Sequence, residues 1–308
     1  MARVDASQNQ IGHAAVRKAS WRLLPLIGLG YGIAYMDRVN ISFASLQMNQ
    51  DLHFSATVYG LGGGLFFLSY AALEVPSNLL LVRFGARRWI ARIMLTWGLL
   101  AAGMMFVKTP TEFYVMRFLL GAAEAGFFPG VVFYLMQWFP AAHRGRAISR
   151  FYVALPLSSV VMGAIAGSLL NLNGTLGLAG WQWLFLVEGL PAVILSALIL
   201  MGLPDSPAQA AWLTDGERAW IHERLSAERA ALGTVMDHRL TRALLDPRVW
   251  QLGICNLFIL GSSYAFTLSA PAVLQGATQW TATGVGFLVS VTALLGAFGM
   301  VLNGWHSD

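Results

Sequence analysis

A charged pair, Asp37-Arg38, lies inside an apolar run long enough to cross a lipid bilayer. The run over 23–44 reads LLPLIGLGYGIAYMDRVNISFA, and at ~1.5 Å of rise per residue a helix of that length spans about one hydrocarbon core. Lipid offers no hydrogen bonds to a backbone, so a solitary apolar run of this kind folds as a helix. An ionised side chain near the bilayer centre costs about 3 kcal/mol or more, and it persists where it faces a partner or an aqueous path. Arg117 and Glu124 form a second such pair in another apolar stretch. Two carboxylates and two arginines at membrane depth point to a device that moves ions or charged solutes.

Composition supports that environment. Charged residues make up 11% of the 308 positions and hydrophobic ones 56%, whereas a soluble domain is about 25% charged. The chain therefore reads as an integral membrane protein. A net charge of +5 invites a nucleic-acid reading, but the basic residues cluster in short loops between apolar runs, as membrane topology requires, and not on one phosphate-binding face. The single Cys255 excludes an intramolecular disulfide. Residues 1–20 are polar and the first apolar run has spanning length, so a retained first helix is expected instead of a cleaved signal. There is no glycine-rich phosphate loop followed by Lys, and His13, His53, His143, His222, His238 and His306 have no metal-ligand spacing. The chain is expected to be no enzyme and to carry no cofactor or metal.

Eight apolar segments stand out, at about 23–44, 57–82, 86–107, 113–137, 147–171, 183–203, 249–274 and 284–304. Seventeen of the 20 Lys and Arg residues fall in the N-terminus and alternate loops on one side. The opposite loops hold only Lys108, and Arg38 and Arg117 lie within spans. The positive-inside rule then puts the N-terminus in the cytoplasm. Four parts are expected: a cytoplasmic N-terminus (1–22), a six-helix membrane bundle (23–203), a cytoplasmic linker (204–248) and an incomplete second bundle (249–308). In the linker, Thr214-Asp215-Gly216-Glu217 supplies a cap and an acidic first turn before Trp220, Ile221 and Leu225 at helical spacing. It reads as a short amphipathic helix, solvated, joining two membrane domains. Gly163 and Gly167, four apart, mark a close-packing face. Trp138, Trp181 and Trp183 fall at span ends, as interfacial belts do.

Four stretches resemble the major facilitator superfamily and, within it, the anion:cation symporters that import organic acids into bacteria. They are IAYMDRVNISFA at 33–44, LEVPSNLLLVRFGARRWIARIM at 73–94, RFLLGAAEAGFFPG at 117–130, and LPDSP with WLTDGERAW at 203–220. Arg83, Gly85, Arg87 and Arg88 match the gating turn G-x-x-x-D-R-x-G-R-R of that superfamily, and Gly304 and Asp308 match its second copy. Asn78 and Val82 stand where the first copy has Gly and Asp, so the carboxylate that locks the turn is missing there. The resemblance implies an all-α fold of twelve membrane helices. This chain would supply a complete six-helix N-terminal bundle and the first two helices of the second. It ends inside the turn after the eighth, so a truncated chain is expected. A multi-pass location in the bacterial inner membrane and a monomeric carrier at full length are implied as well.

The charged residues then acquire expected roles. Arg38 offers a planar fork suited to a substrate carboxylate, with Asp37 as a proton-coupling site; the alternative is a static ion pair to neighbouring helices. Arg117 and Glu124 are seven apart, on one helix face. The resemblance suggests Glu124 as a second protonatable carboxylate and Arg117 as its switchable partner, against a static helix–helix salt bridge. Tyr70, Tyr35 and Asn40 are candidate substrate contacts, although Tyr70 could equally be a packing residue. Glu74 and Glu188 suggest gating or packing. The expected function is proton-coupled uptake of an organic anion, such as a sugar acid, a dicarboxylate or an aromatic acid. An antiporter or exporter on the same fold is the first alternative. A membrane sensor is a more distant one, because no soluble domain is appended.

Overall fold

The structure is a computed structural model that describes residues 2–232 and 245–307. Among these, eleven α-helices follow in order: α1 Ala2–Asp51, α2 Ala56–Phe84, α3 Ala86–Gly103, α4 Pro110–Glu124, α5 Phe127–Met136, α6 Ala141–Tyr152, α7 Ala154–Leu170, α8 Gly180–Gly202, α9 Asp215–Leu232, α10 Pro247–Thr278 and α11 Ala282–Ser307. Pairs α4–α5 and α6–α7 each form one column, Pro110–Met136 and Ala141–Leu170. The columns reproduce the eight apolar segments read from the sequence. Six are long and apolar enough to cross a membrane by length and composition. The other two are α1, whose apolar run is diluted by Asp37 and Arg38, and α11, with the apolar stretch Ala282–Gly296.

Local chemistry sets the boundaries. Ser55 caps α2 by accepting from the Val58 N–H at 3.2 Å. Thr109 and Glu112 form a capping box at α4, with Pro110 at the first helical position. Asp246 and Pro247 do the same work at α10. The break between α4 and α5 has a definite cause. Pro129 has no N–H and its ring would clash with the carbonyl four residues earlier, that of Ala125. Ala125 leaves the helical region (φ −54, ψ 131) and Gly126 adopts φ +85, a conformation glycine takes at little cost. The helix therefore ends directly after Glu124.

Two apolar cores stack along the bundle. One, at the end carrying the N-terminus, includes Leu23, Ile27, Trp97, Phe127, Trp138 and Phe151. The other, at the opposite end, includes Phe43, Met48, Phe113, Met162, Trp181 and Phe185. In α1 the first core runs to Ala34 and the second begins at Val39. Asp37 and Arg38 fall in the layer between them.

Three sequence expectations need correction. The linker helix α9 is docked and not solvated: Trp220, Ile221 and Leu225 are buried, Lys18 of α1 pairs with Glu217 at 2.8 Å, and Arg144 of α6 pairs with Glu228 at 2.9 Å. Trp138 is not an interfacial belt residue; it is fully buried and stacks on Trp212 of the linker with ring centroids 5.6 Å apart. Trp181 is buried too, and donates to Asp51 at 3.0 Å. The polar residues after position 1 continue α1 as helix from Ala2. Residues 233–244 of the linker, and Asp308 of the second gating turn, lie outside the described residues.

Among the described residues, helices α10 and α11 meet the first bundle in its opposite half, as far as the charged layer. Every position of α10 from 247 to 263 is exposed, and burial begins at Tyr264. Tyr59 donates to the Leu268 carbonyl at 3.0 Å, and Ser290 to the Val160 carbonyl at 2.9 Å. α7 crosses α11 where a Cβ on Gly163 would strike the Gly286 carbonyl and the Ser290 hydroxyl, the small-residue approach that the Gly163/Gly167 spacing anticipates. Along α10 the junction is therefore packed in the opposite half and parted at the end carrying the N-terminus.

Candidate functional site

The layer between the two cores collects five ionisable groups from three helices: Asp37 and Arg38 of α1, Arg117 and Glu124 of α4, and Glu188 of α8. Asp37, Arg117, Glu124 and Glu188 are buried, at 3% exposure or less, and the Arg38 side chain is 12% exposed. Arg38 is the hub. Its Nη2 lies 2.6 Å from Glu124 Oε1, its Nε donates to the same oxygen at 2.9 Å, and its Nη1 donates to the Tyr264 hydroxyl at 3.0 Å. The guanidinium sits 4.9 Å from the Tyr70 ring centre, a cation–π distance. One side chain of α1 therefore ties α2, α4 and α10 together.

Arg117 is placed differently from the expectation of a Glu124 partner. Its guanidinium lies 4.5 Å from the centre of the Phe66 ring. It has no carboxylate within 4.0 Å among the described residues, with Asp37, Tyr59 and Glu124 as its charged or polar neighbours. Glu124 is thus held by Arg38 and not by Arg117. Neither oxygen of Asp37 accepts a hydrogen bond within 3.5 Å, and Glu124 Oε2 is likewise unpartnered; the Trp97 indole is the donor group approaching Asp37. Asn40 is fully buried and donates to Glu188 Oε2. Tyr35 lies beside Ser159 and Tyr264, on the open side of the layer. Glu74 is near Arg38 but half-buried, and its carbonyl accepts from Asn78 at 2.8 Å.

The gating turn has a lock that the sequence reading missed. Gly85 joins α2 to α3 with φ +89 and has no side chain with which to cap α3. Asp205, from the LPDSP stretch 118 positions on, supplies the cap: its Oδ1 accepts from the Arg87 N–H at 2.9 Å, and its Oδ2 lies 3.6 Å from Arg87 Nε. A Cβ at Gly85 would press on that carboxylate at 3.2 Å. The carboxylate lacking at Val82 is thus provided by the linker, which is also held by the Tyr134 hydroxyl donating to the Pro204 carbonyl at 2.7 Å. Arg83 lies against the Phe84 ring at 5.8 Å, Arg88 is exposed, and Gly304 lies within α11.

An all-helical, multi-pass membrane protein with a charged layer at mid-bundle has the architecture of a solute carrier. Residues 27–308 match the Major Facilitator Superfamily, and the chain belongs to that family. It is 46% identical over 300 residues to a protein of Agrobacterium vitis named "Putative tartrate transporter", covering 97% of this chain and 66% of that protein. It is 46% identical over 296 residues to "Putative metabolite transport protein NicT" of Pseudomonas putida, covering 96% and 68%. A third relative, "Quinolone resistance transporter" of Acinetobacter baumannii, is 39% identical over 287 residues, covering 93% and 66%. The chain thus spans about two thirds of these relatives' length. Among solved structures, a bacterial homolog of the human lysosomal transporter Spinster in an inward-facing, unoccupied conformation superposes with a TM-score of 0.72, at 18% identity over 94% of this chain and 62% of that one. A D-xylose–proton symporter superposes with a TM-score of 0.62, at 13% identity over 92% and 67%.

Proposed function

We propose that the protein is a proton-coupled importer of organic anions, with the N-terminus in the cytoplasm and the transport site in the charged layer around Arg38. The observation that carries this reading is the Arg38 fork, held by Glu124 of the first bundle and Tyr264 of the first helix after the linker. A substrate carboxylate needs the donors that Glu124 now occupies. Protonation of Glu124 removes the competing charge and frees the fork, so proton and anion bind together. The layer holds three buried carboxyl groups for two arginines, and a buried charge without a counter-charge is costly. One proton resident among Asp37, Glu124 and Glu188 relieves that excess. Tyr70 then serves as the platform under Arg38, and Tyr35 as a further substrate contact. Asn40 has its donor committed to Glu188 and acts by positioning. The parted junction at the basic end is an inward-open state, with Arg83, Gly85, Arg87 and Arg88 forming the cytoplasmic turn that Asp205 locks.

The names of the relatives from Agrobacterium vitis and Pseudomonas putida favour small organic acids as substrates. The relative named for quinolone resistance favours a second reading, an exporter or antiporter on the same scaffold. The test is uptake of radiolabelled tartrate, gluconate, succinate and benzoate by the protein in proteoliposomes, with and without an inward proton gradient. Accumulation of at least one acid driven by the gradient supports import. Uptake of all four unaffected by the gradient, or movement only against it, overturns the symport.

A further inference from the structure

Lys18 and Arg144, on the faces of α1 and α6 that meet α9, are each paired with a carboxylate of that helix. The next face of the same two helices has no such partner among the described residues. There, His13, Arg17 and Trp21 of α1, spaced by four residues, look across at His143, Arg146 and Arg150 of α6. They line a cavity of about 550 Å³ with no acidic residue among its described lining residues. The two histidine rings approach to 6.0 Å. None of the three arginines has a carboxylate within 4.0 Å among the described residues, and all three are exposed. Trp220 of α9 packs behind, against His143 and Gly12, and holds the walls apart. At its membrane side the cavity shares Ser20, Trp21 and Arg150 with a groove of about 760 Å³ between α1 and α7. That groove is apolar, with Leu24, Leu29, Leu157 and Val161 in its lining. Trp21, 76% exposed, stands at the junction.

We propose that this cavity binds the phosphate headgroup of an anionic phospholipid of the cytoplasmic leaflet, with an acyl chain in the adjoining groove. The headgroup placement rests on the orientation given above. Three unpaired guanidinium forks at a membrane surface suit a phosphodiester, which accepts paired N–H bonds from Arg, and basic pockets between membrane helices on the cytoplasmic side hold anionic headgroups. The order of the two cavities, basic then apolar towards the bilayer, is the order of a lipid. It is not the order of a soluble anion, which would gain nothing from the groove. The site is distinct from the layer around Arg38, since Trp21 precedes Arg38 by about 25 Å along α1 at ~1.5 Å of rise per residue.

The experiment is native mass spectrometry of the purified protein in mixed micelles containing phosphatidylglycerol or phosphatidylcholine, joined to thermal unfolding in the same micelles. Phosphatidylglycerol should be retained and should raise the unfolding temperature, while phosphatidylcholine should do neither. Arg17→Gln with Arg146→Gln and Arg150→Gln should weaken retention on the order of a hundredfold, from about fivefold per arginine removed at a charged surface. Arg248→Gln, which removes a charge at the same end but outside the cavity, should leave it unchanged. Should the triple variant not fold, competition on the unaltered protein decides. Inorganic phosphate or tartrate at 10 mM should not displace the lipid. Equal retention of the two lipids, undiminished retention by a folded triple variant, or displacement by either soluble anion overturns the lipid assignment; displacement makes the cavity a soluble-anion site. None of these outcomes depends on transport, so failure here leaves the importer reading standing, and failure of gradient-driven uptake leaves this one.

Discussion

Glu124→Gln isolates the competition on which the transport reading rests. The variant keeps the side chain's shape and one acceptor oxygen but removes the charge facing Arg38 Nε and Nη2, at 2.9 and 2.6 Å from Oε1. Hydrogen bonds to a charged group contribute about 1.5–3 kcal/mol. An incoming carboxylate no longer has to displace that much, so anion affinity at pH 8 should rise about ten- to a hundredfold. Because glutamine takes up no proton, the wild-type gain in affinity between pH 8 and pH 5.5 should disappear. Arg38 loses its counter-charge in a buried layer, so the ligand-free variant should be less stable by about 3 kcal/mol. Anion at about a hundred times its Kd should restore most of that. Equilibrium binding of radiolabelled tartrate or of another acid taken up at pH 5.5 and 8, with thermal unfolding beside it, reads all three effects. In proteoliposomes, gradient-driven accumulation should collapse while exchange continues. Weaker binding at pH 8, a preserved pH dependence, or undiminished accumulation would refute the mechanism.

Other substitutions test separate links. Arg38→Lys keeps the charge but gives up the fork shared by Glu124 and Tyr264, and anion affinity in the same assay should fall about ten- to a hundredfold; an unchanged Kd removes Arg38 as the anchor. Asp205→Ala uncaps α3 and frees Arg87, so thermal unfolding in detergent should show a loss of about 1–2 kcal/mol, with Asp205→Asn losing less because one acceptor remains. Glu217 gives a pH test outside the membrane. Burial favours its neutral form, but the bonds from Lys18 and Thr214 outweigh this and hold its carboxyl below the usual range. A depressed carboxyl stabilises the fold above its ordinary value and loses that contribution as pH falls through the depressed one. The unfolding temperatures of wild type and Glu217→Gln should therefore differ at pH 7 and converge below about pH 4, and a constant difference would show that the clasp is not ionic.

The helical columns were legible because each is an apolar run bounded by caps or turns, and the cap at Thr214–Glu217 was visible for the same local reason. What the sequence hid was tertiary. Arg117 and Glu124 share a helix face, which suggests partnership by spacing alone. The side chain that reaches Glu124 is 86 positions away on α1. The missing carboxylate of the gating turn was sought at Val82, where the pattern places it, yet it arrives from Asp205. Trp212 and Trp220 were the available signal that the linker docks, since large aromatics in a polar segment seek a surface to cover. The break after Glu124 was also written locally, in Pro129 four residues beyond Ala125.

That break and the Arg38–Glu124 pair bear on one another. An unbroken α4 would carry Glu124 in mid-helix, held by neighbours on both sides. Ending the helix there leaves the group Arg38 holds at the edge of a discontinuity, where Ala125 and Gly126 take non-helical dihedral angles. Buried ion pairs contribute little net stability once desolvation is counted, so the apolar cores above and below the layer hold the bundle together. Arg38 can then exchange Glu124 for another carboxylate without loss of the fold. Tyr264 belongs to the other side of the junction, and it shares the same guanidinium. On the proposed reading, a ligand that takes the fork from Glu124 also alters how α10 is held against α1, which is the coupling between occupancy and opening that a carrier requires.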